Sequence, residues 1–165
     1  MDEERKPRKV NSILKLDTPV LNVQDIHQYM LNKWQEKWDT STTGRRTYGF
    51  FPDIRERLSL RHINPNKGMV HYITGHDPYN ETLYRLGVRN SPTCLCGEAV
   101  GTPEHVVWEC TETTSIRQDI RVILGNRQMY DIVRIEALYT ACENMANAVS
   151  AHFRDLYIQS LSPGP

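Results

Sequence analysis

Three cysteines and one histidine lie close together in the second half of the chain. They are Cys94, Cys96, His105 and Cys110, and their spacing is C-x-C-x8-H-x4-C. Thiolate and imidazole are the ligands that structural zinc sites prefer, in a tetrahedral set of four. The spacing therefore predicts one zinc ion bound by these four side chains. Because four protein ligands fill the coordination sphere, no position remains for an activated water, and the predicted role of the zinc is structural.

The sequence around the four predicted ligands also fits a metal site. Gly97 can adopt a positive φ, which lets the backbone turn back beside the first two cysteines. Thr102 is a suitable N-cap for a short helix that carries His105, and Pro103 fits the first turn of that helix. His105 and Cys110 are five residues apart, which is about 140° around an ideal α-helix. We therefore expect the helix to end or distort near Cys110, so that both side chains reach one ion.

Two other interpretations of the cluster remain open. The thiols could be ordinary buried cysteines beside a surface histidine, or Cys96 and Cys110 could form a disulfide. Disulfides persist mainly in oxidising compartments, and the N-terminal sequence MDEERKPRKV has no apolar stretch typical of a secretory signal. We therefore expect a reducing compartment, nuclear or cytoplasmic. Cys142 lies on the apolar stripe of a predicted C-terminal helix and is predicted to be a core residue rather than a ligand.

Hydrophobic periodicity predicts an all-α fold, with several short helices and a long C-terminal helix, stapled by the CCHC zinc-knuckle-like turn. The predicted helices span residues 23–38, 54–61, 65–75, 78–86, 111–124 and 130–160. The predicted N-caps of the second, third and fourth helices are Asp53, Asn64 and Asp77, respectively. Gly75 and Gly87 are predicted to end the third and the fourth helix. The predicted stripe of the last helix contains Ile132, Ile135, Leu138, Cys142, Met145, Val149 and Phe153. No alternating strand pattern and no internal repeat is found.

Charge divides the chain into unlike halves. The totals balance, with 20 Lys and Arg against 20 Asp and Glu. Residues 1–90 carry a balance of +4 and residues 91–165 a balance of −4. We therefore predict a flexible N-terminal segment (1–20), a basic helical region (21–90), the CCHC zinc knuckle (91–115) and C-terminal helices (116–160). No apolar run approaches the ~20 residues needed to cross a bilayer, so no membrane partner is expected.

Nucleic acid is the partner that the basic region favours, because clustered cations bind phosphates. The candidate phosphate contacts are Arg45, Arg46, Arg55, Arg57, Arg61, Lys67, Arg85 and Arg89. The alternative is that these cations form an ordinary solvated helical face. Trp34 and Trp38 could stack on unpaired bases, but they share a helix face with Ile26 and Met30, which favours core packing.

A nuclease site is a weaker interpretation of His71, His76 and Asp77. A metal-dependent nuclease uses carboxylates and a histidine to hold Mg²⁺ and to activate water. The sequence His76-Asp77-Pro78 is equally suited to break and cap a helix. No catalytic residue is therefore predicted.

Several blocks of sequence, taken in order, resemble a known family. They are Trp34-Gln35 with Trp38, Thr43-Gly44-Arg45, Phe50-Phe51-Pro52, Ile73-Thr74-Gly75-His76, and the C-C-H-C element with Pro103-Glu104. This order resembles the C-terminal region of the Pol polyprotein of arthropod type-1 non-LTR retrotransposable elements, which insert into ribosomal RNA genes. The resemblance covers roughly residues 20–115.

The resemblance implies a parent polyprotein with an endonuclease that nicks target DNA and a reverse transcriptase, both using Mg²⁺. This chain lacks the Tyr-x-Asp-Asp polymerase signature, so we expect a fragment that is not catalytic alone. The leading hypothesis is a zinc-stabilised nucleic-acid-binding module, with RNA or DNA and the remainder of the polyprotein as partners. The alternatives are an endonuclease-associated region with metal-dependent nicking activity and a protein-interaction module that docks on the polymerase.

Overall fold

The computed structural model describes residues 22–76, 78–125, 127 and 129–161. Within these ranges the helices are α1 (Val23–Thr40), α2 (Arg45–Phe50), α3 (Ile54–Ser59), α4 (Lys67–Thr74), α5 (Asn80–Arg85), α6 (Thr114–Leu124), α7 (Met129–Ile132) and α8 (Glu136–Leu161). A π-helical turn (His105–Glu109) and a 3-10 turn (Thr111–Thr113) precede α6. The described residues form no β-strand, only an isolated bridge between Thr93 and Val100. The all-α prediction is confirmed.

Local capping explains where several of these helices begin and end. The Asp53 side chain accepts a hydrogen bond from the Glu56 amide at 2.7 Å, as predicted for the start of α3. Gly75 ends α4 in the left-handed region at a φ of 71°. Gly87 follows α5 with a φ of 72°. These turn residues place the short helices close to their predicted positions.

Two predicted helix starts are wrong. The N-cap of α4 is Asn66, not Asn64, and its side chain accepts from the Met69 amide at 2.9 Å. Pro65 therefore precedes the cap instead of lying in the first helical turn. Helix α5 begins at Asn80, two residues after the predicted start at Pro78. The predicted cap Asp77 and the predicted segment 1–20 lie outside the described residues.

The C-terminal region and the segment after α1 also differ from prediction. The single helix predicted over residues 130–160 is interrupted between α7 and α8. Ile135 lies in this interruption and is exposed, whereas the other six residues of the predicted stripe are buried. Helix α2 was not predicted, because its six residues are too few to show a periodic pattern.

The centre of the fold is the packing of α4 against α8. Gly68 lies at this contact, and a Cβ atom added to it would be only 2.3 Å from the Asn147 Cα atom. The absence of a side chain therefore lets the two helix backbones approach closely. The hydrophobic core extends from Phe50 to Phe153 and includes the thiols of Cys94 and Cys110. The predicted metal ligands are thus part of the main core.

Helix α1 is attached to the fold along one edge. Leu31 is buried, the Gln35 side chain accepts a hydrogen bond from the Ile54 amide at 2.8 Å, and Trp38 Nε1 donates to the Phe51 carbonyl at 2.8 Å. The prediction that Trp34 packs in the core with Trp38 is wrong for Trp34, which is 50% exposed. The physical reason is that α1 packs mainly against the short helix α3, which covers only part of the apolar face of α1.

None of the helices in the described part of the chain combines the length and apolar character that a membrane span requires.

Candidate metal centre and its surroundings

The four predicted ligands come together in the fold. The ligand atoms of Cys94, Cys96, His105 and Cys110 all lie within 4.8 Å of one another. The sulfurs of Cys94 and Cys110 are 3.7 Å apart, and Cys96 Sγ is 3.3 Å from His105 Nε2. Two sulfurs bound at about 2.3 Å to one tetrahedral zinc would be about 3.8 Å apart. The cluster therefore has the dimensions of a Cys3His metal site.

A tight turn presents the first two cysteines. The Cys94 amide donates to the Ala99 carbonyl at 2.7 Å, and the Gly97 amide donates to the Cys94 carbonyl at 2.9 Å. Gly97 has a φ of 80°, as its predicted role in this turn requires. The Glu98 amide points at Cys96 Sγ, 3.4 Å away, so the backbone also stabilises negative charge on this sulfur.

The second pair of ligands is carried by the π-helical turn. Thr102 Oγ1 accepts a hydrogen bond from the His105 amide at 3.1 Å, which confirms its predicted capping role. The Cys110 amide donates to the His105 carbonyl at 2.7 Å, so the hydrogen bond spans five residues instead of four. The wider turn brings residues five apart onto the same side. This is the helix distortion that the spacing of the two ligands predicted.

A buried arginine holds the end of the π-helical turn. Arg117 is only 5% exposed. Its Nη1 donates to the Cys110 carbonyl and, at 2.7 Å, to Thr113 Oγ1, and its Nη2 donates to the Glu109 carbonyl at 2.9 Å. Sequence reasoning missed this residue, because a single arginine seven positions after the last ligand belongs to no recognisable pattern. It fixes the backbone of one ligand without lying among the ligands.

The three thiols of the cluster differ in their pKa shifts. Burial raises the pKa of the Cys94 and Cys110 thiols. Burial also acts on Cys96, but hydrogen bonds from the Glu98 amide and His105 outweigh it and lower the pKa of Cys96 to about 7. A metal cation would stabilise all three thiolates and release their protons. Cys142 lies outside the cluster, and burial raises the pKa of its thiol to about 12, as expected for a core residue.

Comparison with known proteins identifies relatives of the chain. No family model matches it, and no solved structure matches it. It is 34% identical over 84 residues to the retrovirus-related Pol polyprotein from type-1 retrotransposable element R1 2 of Nasonia vitripennis, covering 51% of this chain and 20% of that protein. It is 30% identical over 133 residues to the R1 Pol polyprotein of Popillia japonica, covering 76% of this chain and 52% of that protein.

The chain is a sequence relative of the R1 Pol polyproteins. The resemblance noted from its sequence blocks is therefore confirmed. A further relative is the R1 Pol polyprotein of Bradysia coprophila, which is 31% identical over 102 residues. That alignment covers 58% of this chain and 9% of the relative. The chain thus spans between about a tenth and about half of the length of these R1 relatives.

Two of the eight cations of this chain that were predicted to contact phosphate bind other parts of the fold instead. Arg45 Nη1 donates to three carbonyls at the end of α1, the nearest being that of Trp38 at 2.9 Å. Arg46 Nε donates to the Tyr72 carbonyl at 2.9 Å, and its Nη1 forms an ion pair with Glu104. Both arginines therefore have a structural role.

Three more candidate cations make intramolecular contacts. Arg55 Nη2 donates to Asn32 Oδ1 on α1 at 2.7 Å. Arg57 Nη2 donates to a backbone carbonyl at 3.1 Å. The Arg89 guanidinium lies 4.0 Å from the centre of the Tyr157 ring on α8. These contacts connect neighbouring elements and leave fewer guanidinium groups free for phosphate.

The remaining three cations are Arg61, Lys67 and Arg85. All three are exposed. In the described part of the chain, no hydrogen bond or ion pair joins any of their side chains to another residue. Their charge is therefore available to a ligand.

The residues considered for a nuclease are not assembled into a site by the described structure. His71 Nδ1 lies 3.0 Å from Ser150 Oγ on α8, so this histidine joins α4 to α8. His76 is exposed, and Asp77 lies outside the described residues. Among the residues that are described, the Cys3His cluster is the only group of three or more metal-binding side chains.

Proposed function

We propose that this chain is a zinc-stabilised nucleic-acid-binding module of an R1-type retrotransposon Pol polyprotein. The observation that carries the proposal is the cluster of Cys94, Cys96, His105 and Cys110, whose ligand atoms lie within 4.8 Å of one another. Three thiolates and one imidazole suit zinc in a closed tetrahedral site. The zinc has a structural role, because it connects the tight turn that carries Cys94 and Cys96 to the π-helical turn that carries His105 and Cys110.

The exposed cations support nucleic acid as the ligand. The side chains of Arg61, Lys67 and Arg85 have no hydrogen-bond or ion-pair partner among the described residues, so they bind phosphate without first breaking such contacts. Each phosphate neutralised by a cation releases condensed counterions, which makes such binding depend strongly on salt. We therefore assign the main phosphate contacts to these three residues, with the other five candidate cations supporting the fold.

The parent polyprotein is proposed to copy element RNA into DNA at a nick in the target, using Mg²⁺ in its polymerase and endonuclease. The module would hold RNA or target DNA close to the polymerase. The names of the relatives support a Pol polyprotein. The metal cluster of this chain stabilises the fold, and its four protein ligands leave no position for a reactive water. We therefore assign no reaction to the module itself.

Zinc content and binding affinity test the proposal directly. The zinc-loaded chain is titrated by fluorescence anisotropy against single-stranded RNA and duplex DNA at two salt concentrations, with a chelator-treated sample as control. We expect one zinc per chain, and binding that weakens steeply with salt and is lost with the metal. A folded, zinc-loaded chain that binds neither nucleic acid would refute nucleic-acid binding and leave only the structural metal site.

A second candidate function is docking on the rest of the polyprotein. The observation that favours it is the exposed apolar face of α1, which contains Val23, Ile26, Met30 and Trp34. Exposed apolar patches of this kind often mark protein interfaces. The double substitution Met30→Ser with Ile26→Ser would weaken association with the polymerase region in a pull-down, and would leave zinc content and RNA affinity unchanged. Unchanged association would exclude this face as the docking surface.

A further inference from the structure

An open cavity of about 450 Å³ lies between α2, α4, the π-helical turn and α7. The residues that matter for its chemistry are Arg46, Phe50, Tyr72, Glu104, Trp108 and Tyr130. It is separate from the metal cluster, but Glu104 and Trp108 lie on either side of His105 in the sequence. The segment that carries two metal ligands therefore also forms one wall of this cavity.

Two aromatic side chains of the cavity are held in place while part of each remains accessible. Tyr130 is 41% exposed, and the Arg134 guanidinium lies 3.1 Å from its ring centre. Arg134 is itself fixed by a two-pronged ion pair with Glu56. Trp108 is partly exposed, and its Nε1 donates to the Tyr72 hydroxyl at 2.9 Å. Rings that are already ordered lose little conformational freedom when a flat ligand stacks on them.

The two arginines of the cavity differ in how far their charge is neutralised. Arg46 Nε and Nη1 are bonded to Tyr72 and Glu104, but Arg46 Nη2 is buried and has no hydrogen-bond partner in the described structure. This atom has almost no accessible surface, so a ligand in the cavity cannot accept from it, and the Arg46 charge is already paired with Glu104. Arg45 also lines the cavity, and no carboxylate in the described part of the chain forms an ion pair with it. Its Nη1 donates to carbonyls at the end of α1, and the charge that remains favours an anionic group beside a stacked base.

We propose that this cavity binds one unpaired nucleobase of a single-stranded nucleic acid. The base stacks on Tyr130 and Trp108, and the adjoining phosphate lies near Arg45. This inference rests on the proposed function and deepens it, because it names a base-binding site in addition to the phosphate contacts. A flat aromatic group and a phosphate occur together in every nucleotide, and the cavity offers a partner for each.

Oligonucleotides with and without bases separate stacking from phosphate binding. The zinc-loaded chain is titrated with a single-stranded oligonucleotide and with a matched abasic strand that keeps every phosphate, in RNA and DNA versions. We expect the strand with bases to bind about ten-fold more tightly or better. Tyr130→Leu should remove most of this preference. Tyr29→Leu is the matched control, because Tyr29 is an exposed tyrosine on α1 that does not line the cavity.

Trp108→Phe is the second variant. It keeps an aromatic ring, but the ring is smaller and no longer donates a hydrogen bond to the Tyr72 hydroxyl. This substitution should partly reduce the preference for the strand with bases. Zinc content and the thermal midpoint show whether the Tyr130 and Trp108 variants still fold. If both folded variants keep the full preference, or if the wild-type chain binds the two strands equally, the cavity is not a base site, although phosphate binding stands. If the wild-type chain binds neither strand at low salt, the proposed function fails and this inference fails with it.

Discussion

Arg117 is buried and charged, and its guanidinium donates to backbone carbonyls at the end of the π-helical turn. Metal ligands need this kind of support, because a ligand that is free to move binds its ion more weakly. Thr113 adds to it, since its hydroxyl donates to the Val106 carbonyl at 2.9 Å. At the scale of single residues, the geometry of the metal cluster therefore depends on side chains that do not belong to it.

Arg117→Met should weaken zinc binding about 10- to 100-fold, in the range measured when a group that supports a metal ligand is removed. Methionine keeps an apolar stem of similar size but leaves the Cys110 and Glu109 carbonyls without their donor. The measurement is a zinc competition titration against a chromogenic chelator. The control is Arg154→Met on α8, where the arginine is exposed. Equal zinc affinity for the Arg117 variant and the control would show that Arg117 does not support the site.

Cysteine substitutions distinguish a ligand from a core thiol. Cys96→Ser should lower the zinc content below one ion per chain and reduce both helicity and the thermal midpoint, because metal binding and folding are coupled in structural sites. Cys142→Ala should lower the thermal midpoint by making a small cavity in the core, yet keep one zinc per chain. The checks are metal analysis and circular dichroism. A Cys96→Ser variant with unchanged helicity and midpoint would contradict the structural role of zinc.

At the scale of elements, Gly68 decides how closely α4 approaches α8. Gly68→Ala should destabilise the zinc-loaded protein by about 1–3 kcal/mol, because the new methyl group would meet the Asn147 backbone at 2.3 Å and force the helices apart. Gly49→Ala on α2 is the control, since nothing lies within 4 Å of its added Cβ atom. That substitution should be neutral or stabilising by about 0.5–1 kcal/mol. Urea unfolding measures both, and equal stabilities would refute the close approach.

Elements also show what sequence could and could not predict. The grouping of the four candidate ligands and the distortion between His105 and Cys110 were predictable, because ligand chemistry and helix geometry are local. The exposure of Trp34 was not, because the apolar period of α1 predicts a helix face but not how much of that face its neighbours cover. The contacts of Arg45 with the end of α1 could not be predicted either, because they depend on the path of the loop between α1 and α2.

At the scale of the whole molecule, one core joins the segments that charge and composition had separated. Phe50 from the basic region, Cys94 from the metal turn and Val149 from α8 belong to the same hydrophobic cluster. The stability of the turn that carries Cys94 and Cys96 should therefore be coupled to that of the α4–α8 packing. The same packing places ionisable groups where water cannot reach them, and this gives the fold a characteristic response to alkaline pH.

Burial raises the pKa of Cys142 and of Tyr72 to about 12, from their ordinary values of 9.0 and 10.0. The folded protein favours the neutral forms of both groups. Their contribution to stability is therefore complete at pH values below their pKa in the unfolded chain, and it is lost as the pH rises towards 12. We expect the thermal midpoint of the zinc-loaded chain to fall between about pH 9 and pH 11. Cys142→Val removes one of these groups while filling its space, so its midpoint should fall less steeply. Parallel curves for the two proteins would show that Cys142 does not ionise on unfolding.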